Sequence, residues 1–346
     1  MAGAASADNS VAIVSYFEMD PTAAGQIDDV ETVRTIVSQV TDGAGIDRKR
    51  IGFTCSGSCD FLVGRPFSWL MAMDGVGAWP PIEESHVEMD GAWALYEAWV
   101  RLQHGDIDAA LVYTIGQAAA ASVDQVLGTQ LDPYYLAPLG ITASEVAGLQ
   151  AQALLNAGAA ESDFWGAAAN ARLGGTRDSY LTSPRVVGPL RQADVPRYAD
   201  GAAAVVLARG DFARQVCARP AWIKGIAHAT DPHGLGVRDL TRSPSLRRAA
   251  EVAGVRGAAG RVETNAPFGP QELIVARELR EAGLDGSLLN EAGGTRHAHP
   301  VMVSGLVALG RAAGFIQQGG AARTVAHATS GPALQHNLVA VLEATP

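Results

Sequence analysis

One feature limits the architecture more than any other, a long internal echo. GAWALYEAWVRLQHGDIDAALVYTIG begins at Gly91, and GLVALGRAAGFIQQGGAARTVAHATSG begins at Gly305. In each, a second glycine follows 14 residues later (Gly105, Gly319), then a short gap and an apolar, strand-like run. A repeat this long is a duplicated β/α unit rather than a solenoid repeat. It predicts two equivalent halves, closing with the strand-like segments GAAAVVLAR (201–209) and HNLVAVLEA (336–344).

The segments around the echo alternate in kind. SVAIVSYFE (10–18) and RIGFTCSGS (50–58) read as buried strands. Residues 28–47 place apolar side chains at helical spacing and end at a glycine. Residues 89–103 read as helix and 108–116 as strand. In the second half AWIKGIAHAT (221–230) is strand-like, and SPSLRRAAEVAG (243–254) is an amphipathic helix opened by a Ser cap and a Pro. VETNAPFGPQELIVARELREAG (262–283) holds a short strand and a helix. Strand and helix in alternation predict a layered α/β fold. Residues 124–199 break the alternation, with a helical stretch at 143–158 and the Pro/Arg-rich SPRVVGPLRQADVPRYADG. An insertion of this size suits a cap over a site.

Composition removes several function classes. A net charge of −10 argues against nucleic-acid binding, which needs clustered Lys and Arg. With 346 residues the chain is long enough for two domains or one large duplicated one. Only 18% of residues are charged, which suggests that much surface meets another subunit. Three cysteines, Cys55, Cys59 and Cys217, fit a reducing cytoplasm better than a disulfide framework. Cys55-Ser-Gly-Ser-Cys59 has no second Cys/His pair nearby, so it reads as a buried strand and turn, and no metal site is expected. The first ten residues, MAGAASADNS, lack the basic start and apolar core of a signal peptide. No apolar run reaches the roughly 20 residues of a membrane helix. A soluble, cytoplasmic protein is expected.

Several blocks, taken in order, resemble the thiolase superfamily, and within it the lipid-transfer (sterol-carrier-protein-type) branch. SPRVVGPLRQADVPRYADGAAAVVLA resembles that branch's passage from loop domain into the last strand of the first half. VETNAPFGPQEL stands where the family has Asn-Glu-Ala-Phe or His-Asp-Ala-Phe. NEAGGTRHAHPVMVSG resembles its Gly-His-Pro segment, and AHATSGPALQHNLVAVLE its closing strand and glycine turn. The resemblance implies two βαβαβαββ halves in five α-β-α-β-α layers, with buried helices starting near Asp90 and Pro300. It implies a first half at 1–123 and 199–210, a loop (cap) domain at 124–198 and a second half at 211–346. It also implies coenzyme A thioesters as ligands, with coenzyme A as part of the substrate and no permanently bound cofactor, and a dimeric core.

Thiolases attack with a cysteine at the N-terminus of the first buried helix, where the helix dipole favours thiolate. Placing Gly91 on the family's glycine puts Glu88 at that cysteine, and a small gap puts Asp90 there instead. The second family cysteine falls in His327-Ala328-Thr329-Ser330-Gly331 and is also missing. The resemblance assigns oxygen-binding roles to Asn265 and His299. Asp90 is either a helix cap or a working carboxylate, and Glu88 either a solvated carboxylate or a catalytic one. Asn265 and His299 have structural alternatives as buried hydrogen-bonding groups, and His297, His327 and His336 read as structural. Arg172, Arg177, Arg185 and Arg191, with Gly331, are candidates for contact with coenzyme A, the arginines alternatively being solvated surface.

Loss of both cysteines makes acyl transfer the weakest reading. Similar family members that lack them perform retro-aldol cleavage of acyl-CoAs in steroid side-chain breakdown, with tyrosines in acid–base roles. Tyr134, Tyr135 and Tyr198 are the tyrosines of the cap that come into question. Those relatives work with a small zinc-ribbon/OB-fold partner protein. The competing reading is a non-catalytic subunit paired, as a homodimer or heterodimer, with a thiolase-like paralogue.

Overall fold

A computed structural model describes residues 9–21, 28–77, 83–118, 122–166, 175–286, 289–291 and 293–346. Among these, nine strands form one mixed sheet. In the first half they are β1 (Val11–Glu18), β2 (Phe53–Gly57), β3 (Glu84–Val87), β4 (Ala109–Gln117) and β5 (Asp200–Arg209). In the second they are β6 (Ala221–Thr230), β7 (Arg261–Thr264), β8 (Arg323–Ser330) and β9 (His336–Glu343). The order across the sheet is β7-β8-β9-β6-β1-β5-β4-β2-β3. The halves meet where β1 and β6 pair at Ala12↔Trp222 and Ile13↔Ala221. Each half runs outward from its first strand through its last two strands to its second, so the duplication in sequence is a duplication in topology.

The strands are apolar on both faces because both faces are covered. In β5, Ala203, Val205 and Leu207 face the middle of the molecule, while Ala204, Val206 and Ala208 pack on the outer helices. Those outer helices are α1 (Asp29–Ala44) and α2 (Ser68–Val76). The carboxylate of Asp28 caps α1 through Glu31 N at 2.8 Å, an interaction worth about 1 kcal/mol. Gly45 ends the helix at φ 62°. The central layer is α3 (Gly91–Gln103) and α7 (Ser304–Gln317), which bury Ala94, Leu95, Ala98, Leu306, Leu309 and Ala313 in one cluster. Beyond the second half of the sheet lie α5 (Pro244–Ala253) and α6 (Gly269–Glu281), packed on Val325, Val339 and Val341. The result is the expected five-layer α-β-α-β-α arrangement. The echoed glycines that follow the central helices adopt nearly the same conformation, φ 80° at Gly105 and 79° at Gly319.

Between β4 and β5 the chain leaves the sheet and returns to it. The helix of this excursion, α4 (Ala143–Asn156), carries a capping box between Thr142 and Glu145. Its Ala151 and Leu154 pack with α5 and α6, and its Val146 packs with Leu235 and Ala333. A segment inserted in the first half therefore lies over the second.

Three local expectations need correction. The second central helix begins at Ser304 rather than at Pro300, because Val301–Val303 forms a 3-10 turn with Val301 at φ 40°. Ser243 stands at the N-cap of α5 without capping it. Asp231, at the end of β6, accepts from Ser245 N at 3.1 Å instead. The third strand of the second half is reduced, among the described residues, to a bridge between Val262 and Leu289. Asn290 follows at φ 51° and replaces the ladder with side-chain bonds, accepting from Thr264 N and donating to Thr264 Oγ1.

Candidate active site

The central helices present their N-termini to the same point. Gly91 and Gly305 allow the approach. A Cβ on Gly91 would stand 2.8 Å from Thr114 Cγ2, and one on Gly305 2.3 Å from Asp90 Oδ1. Asp90 lies between the two helices, 1% exposed. Its Oδ1 accepts from Ala92 N at 2.7 Å, capping α3, and its Oδ2 from Gly305 N at 2.8 Å, capping α7. Burial raises its pKa to about 7, against the opposing pull of the amides of Ala92, Gly305 and Leu306.

A cleft with about 680 Å³ of empty space, partly open to solvent, reaches down to this carboxylate. Asp90, His299 and Tyr198 line its polar end together with the Thr329–Gly331 turn. Leu127, Val146, Phe268 and Leu334 line its apolar part, so α4 and the segment before it roof the space. His299 is 3% exposed, and burial pulls its pKa down to about 3, which keeps the imidazole neutral. Its Nδ1 is 2.8 Å from Ser304 Oγ. A hydroxyl donating to Nδ1 leaves Nε2–H as a donor. The Tyr198 ring lies 5.7 Å from the His299 ring, and its buried hydroxyl has no hydrogen-bond partner. Burial also holds the Tyr198 pKa well above the usual range, so the phenol stays protonated.

The sequence candidates separate in space. Asp90, His299 and Gly331 share the cleft, whereas Glu88 does not line it. Glu88 accepts from Asp60 N and stands 3.4 Å from His86 Nε2, with its side chain 47% exposed. Asn265 lies behind the cleft wall. Its Nδ2 donates to the Thr329 carbonyl at 3.4 Å, and its buried Oδ1 has no partner. Arg177 donates to Ser162, and Arg185 and Arg191 both pair with Glu161, so these three arginines tie the excursion to itself. Arg172 lies outside the described residues. Tyr134 and Tyr135 are 82% and 79% exposed and absent from the cleft. Among the described residues no cysteine lines it, since Cys55 is buried in β2 and Cys59 follows that strand. His327 is bonded to Asn337 Oδ1 at 2.9 Å, and His336 Nδ1 is 3.0 Å from Thr230 Oγ1.

Sequence reasoning left Tyr198 unassigned and missed Ser304 and Gln271, which also lines the cleft. No local motif marks these residues. Tyr198 reaches the site through a parallel bridge to His299 that only the tertiary structure creates.

No family model matches the sequence, and no curated protein matches it. Solved structures match it from end to end. Human mitochondrial 3-ketoacyl-CoA thiolase superposes with a TM-score of 0.71 at 18% identity, covering 97% of this chain and 99% of that one. Its complex with CoA gives 0.73 at 18% identity, over 99% and 100%. The Bacillus anthracis acetyl-CoA acetyltransferase gives 0.78 at 16% identity, over 98% and 100%. The chain has the thiolase fold. At such identities the likeness is one of architecture, and the thiolase fold is what brings Asp90 and Gly305 together at the floor of the cleft. Among the described residues no helix is long and apolar enough to cross a membrane.

Proposed function

We propose that this thiolase-fold protein acts on acyl-CoA thioesters and cleaves a β-hydroxyacyl-CoA by a retro-aldol reaction, with no covalent cysteine intermediate. The observation that carries the reading is the composition of the cleft floor. The resemblance puts Glu88 or, with a small gap, Asp90 in place of the thiolase nucleophile. The cleft is lined by Asp90, His299 and Tyr198 and, among the described residues, by no cysteine. Those groups suit a reaction that moves protons and stabilises an enolate. Asp90, with a pKa raised to about 7, takes the proton of the β-hydroxyl. The Cα–Cβ bond then breaks, its electron pair passing to the thioester as an enolate while the ketone or aldehyde leaves. Nε2–H of neutral His299 and the hydroxyl of Tyr198 donate to the enolate oxygen. The proton that Asp90 took then passes to Cα, which completes the shorter acyl-CoA and restores the carboxylate. The apolar part of the cleft suits a bulky lipid or steroid acyl group. Coenzyme A enters only as part of the substrate, past Gly331.

A second reading, a non-catalytic subunit, is favoured by one observation. Both Asp90 oxygens are engaged in capping, as expected of a purely structural carboxylate. Pairing with a second thiolase-fold chain draws support from the edge strand β3 and the apolar surface beside it. There Phe61, Phe67, Leu70 and Met71 are exposed. A small zinc-ribbon/OB-fold partner belongs to either reading. Residual acyl transfer is the weakest, because among the described residues no cysteine lines the cleft.

The test is turnover of β-hydroxyacyl-CoAs by the purified chain, alone and with a candidate partner, followed by chromatography of the CoA products. Shorter acyl-CoA plus a ketone or aldehyde is expected, with loss of turnover in Asp90→Asn and His299→Ala. Turnover that survives both substitutions removes the site assignment. Binding of acyl-CoA without turnover under either condition favours the subunit reading.

A further inference from the structure

Part of the cleft wall holds a backbone conformation that its residues do not favour. After Gly331 at φ 75°, Ala333 and Leu334 have φ of 54° and 59°. In this left-handed region a Cβ crowds the backbone, so glycine is at ease there and alanine and leucine are not. Both residues line the cleft.

The hold comes from outside the turn. Arg238, between β6 and α5, has a side chain only 5% exposed. Its Nη1 donates to the Pro332 carbonyl at 3.0 Å and its Nη2 to the Ala333 carbonyl at 2.6 Å. Asn337 Nδ2 donates to the Leu334 carbonyl at 2.8 Å. The nearest carboxylate to Arg238, Asp231, stands 3.8 Å away. A buried guanidinium whose short bonds go to two successive carbonyls of a strained turn acts on that turn, since its planar fork matches both acceptors.

We propose that Arg238 is a positioning residue, holding the Gly331–Leu334 turn in the conformation that shapes the cleft and so setting its affinity for ligand. The ligand part rests on the acyl-CoA reading above, whereas the hold on the turn does not.

Two measurements on wild type, Arg238→Met and Arg238→Met/Ala333→Gly test it. They are amide hydrogen exchange across 330–336 without ligand, and the dissociation constant for a β-hydroxyacyl-CoA. Arg238→Met is expected to speed exchange in the turn and to weaken binding, each by roughly tenfold, while the sheet strands keep their protection. Glycine at 333 accepts positive φ unaided, so the double variant should recover both. Unchanged turn exchange in Arg238→Met overturns the proposal, as does a double variant no better than the single one. If Arg238→Met does not fold, Ala333→Gly alone is expected to slow exchange in the turn, and failure to do so also overturns it. Wild type that binds no acyl-CoA refutes the acyl-CoA reading, and the exchange data then decide the role of Arg238 by themselves.

Discussion

Asp90 accepts the backbone N–H of Gly305 at 2.8 Å, joining residues 215 positions apart in sequence at the start of the two central helices. The same carboxylate caps its own helix through Ala92 N. One buried carboxyl group thus serves two helix N-termini, whose dipoles favour negative charge there while burial opposes it.

The first prediction concerns pH. The folded pKa of Asp90, about 7, lies above the ordinary carboxylate value of 3.8 because of burial. An acid with a raised folded pKa adds stability that is fully present below the unfolded pKa and is lost as pH rises through the folded one. Wild type should therefore lose stability relative to Asp90→Asn between about pH 4 and pH 7, by a few kcal/mol in order of magnitude. Urea unfolding of both proteins at about pH 4.5 and about pH 8 captures most of this change, and parallel pH profiles would remove the assigned shift.

Gly305→Ala should be strongly destabilising. The added Cβ would meet Asp90 Oδ1 at 2.3 Å and Ala328 Cβ at 2.6 Å, and neither neighbour is the free end of a flexible chain. A loss of about 2–4 kcal/mol is expected from denaturant midpoints, by the usual range for overpacking and a broken buried bond. A loss below about 0.5 kcal/mol, the range of neutral surface changes, would mean that the helices are not held this closely.

His299 should stay neutral through the physiological range. Its pKa is pulled down to about 3, so it contributes stability that is retained above the unfolded value of 6.5 and lost as pH falls toward 3. Nitrogen chemical shifts of the imidazole, followed from pH 7.5 to about 4.5, should show one neutral tautomer throughout. A midpoint near 6.5 would contradict the burial that the cleft gives it.

Tyr198→Phe should separate stability from function. The hydroxyl is buried without a partner, so its removal breaks no protein hydrogen bond and should change stability by less than about 0.5 kcal/mol. Turnover of a β-hydroxyacyl-CoA should fall by roughly 100-fold or more, as for a lost proton donor. Equal, small effects on both would reduce the tyrosine to packing.

Much of this fold was legible because burial on both faces leaves a plain mark on sequence. The strand at 221–230 coincides with β6, and the Gly91/Gly305 echo marked a duplicated β/α unit, although the second of its helices starts differently, after a 3-10 turn. The site was only half legible. Glu88 and Asp90 lie two residues apart after β3, and which one turns inward depends on the bend into α3, which no pattern encodes. The cap on α5 comes from Asp231 in the preceding strand connection, so the local Ser-Pro signal named the right position and the wrong acceptor. Sequence alone leaves the arginines of the excursion open to phosphate contact or solvent, whereas Glu161 pairs with both Arg185 and Arg191 in the fold.

The most direct test of the central claim is a single-turnover reaction of the protein with a β-hydroxyacyl-CoA, quenched at intervals and read by intact-protein and product mass spectrometry. The account predicts a ketone or aldehyde and a shortened acyl-CoA appearing together while the protein mass stays unchanged. An acyl adduct on the protein that forms and decays with product release would contradict it.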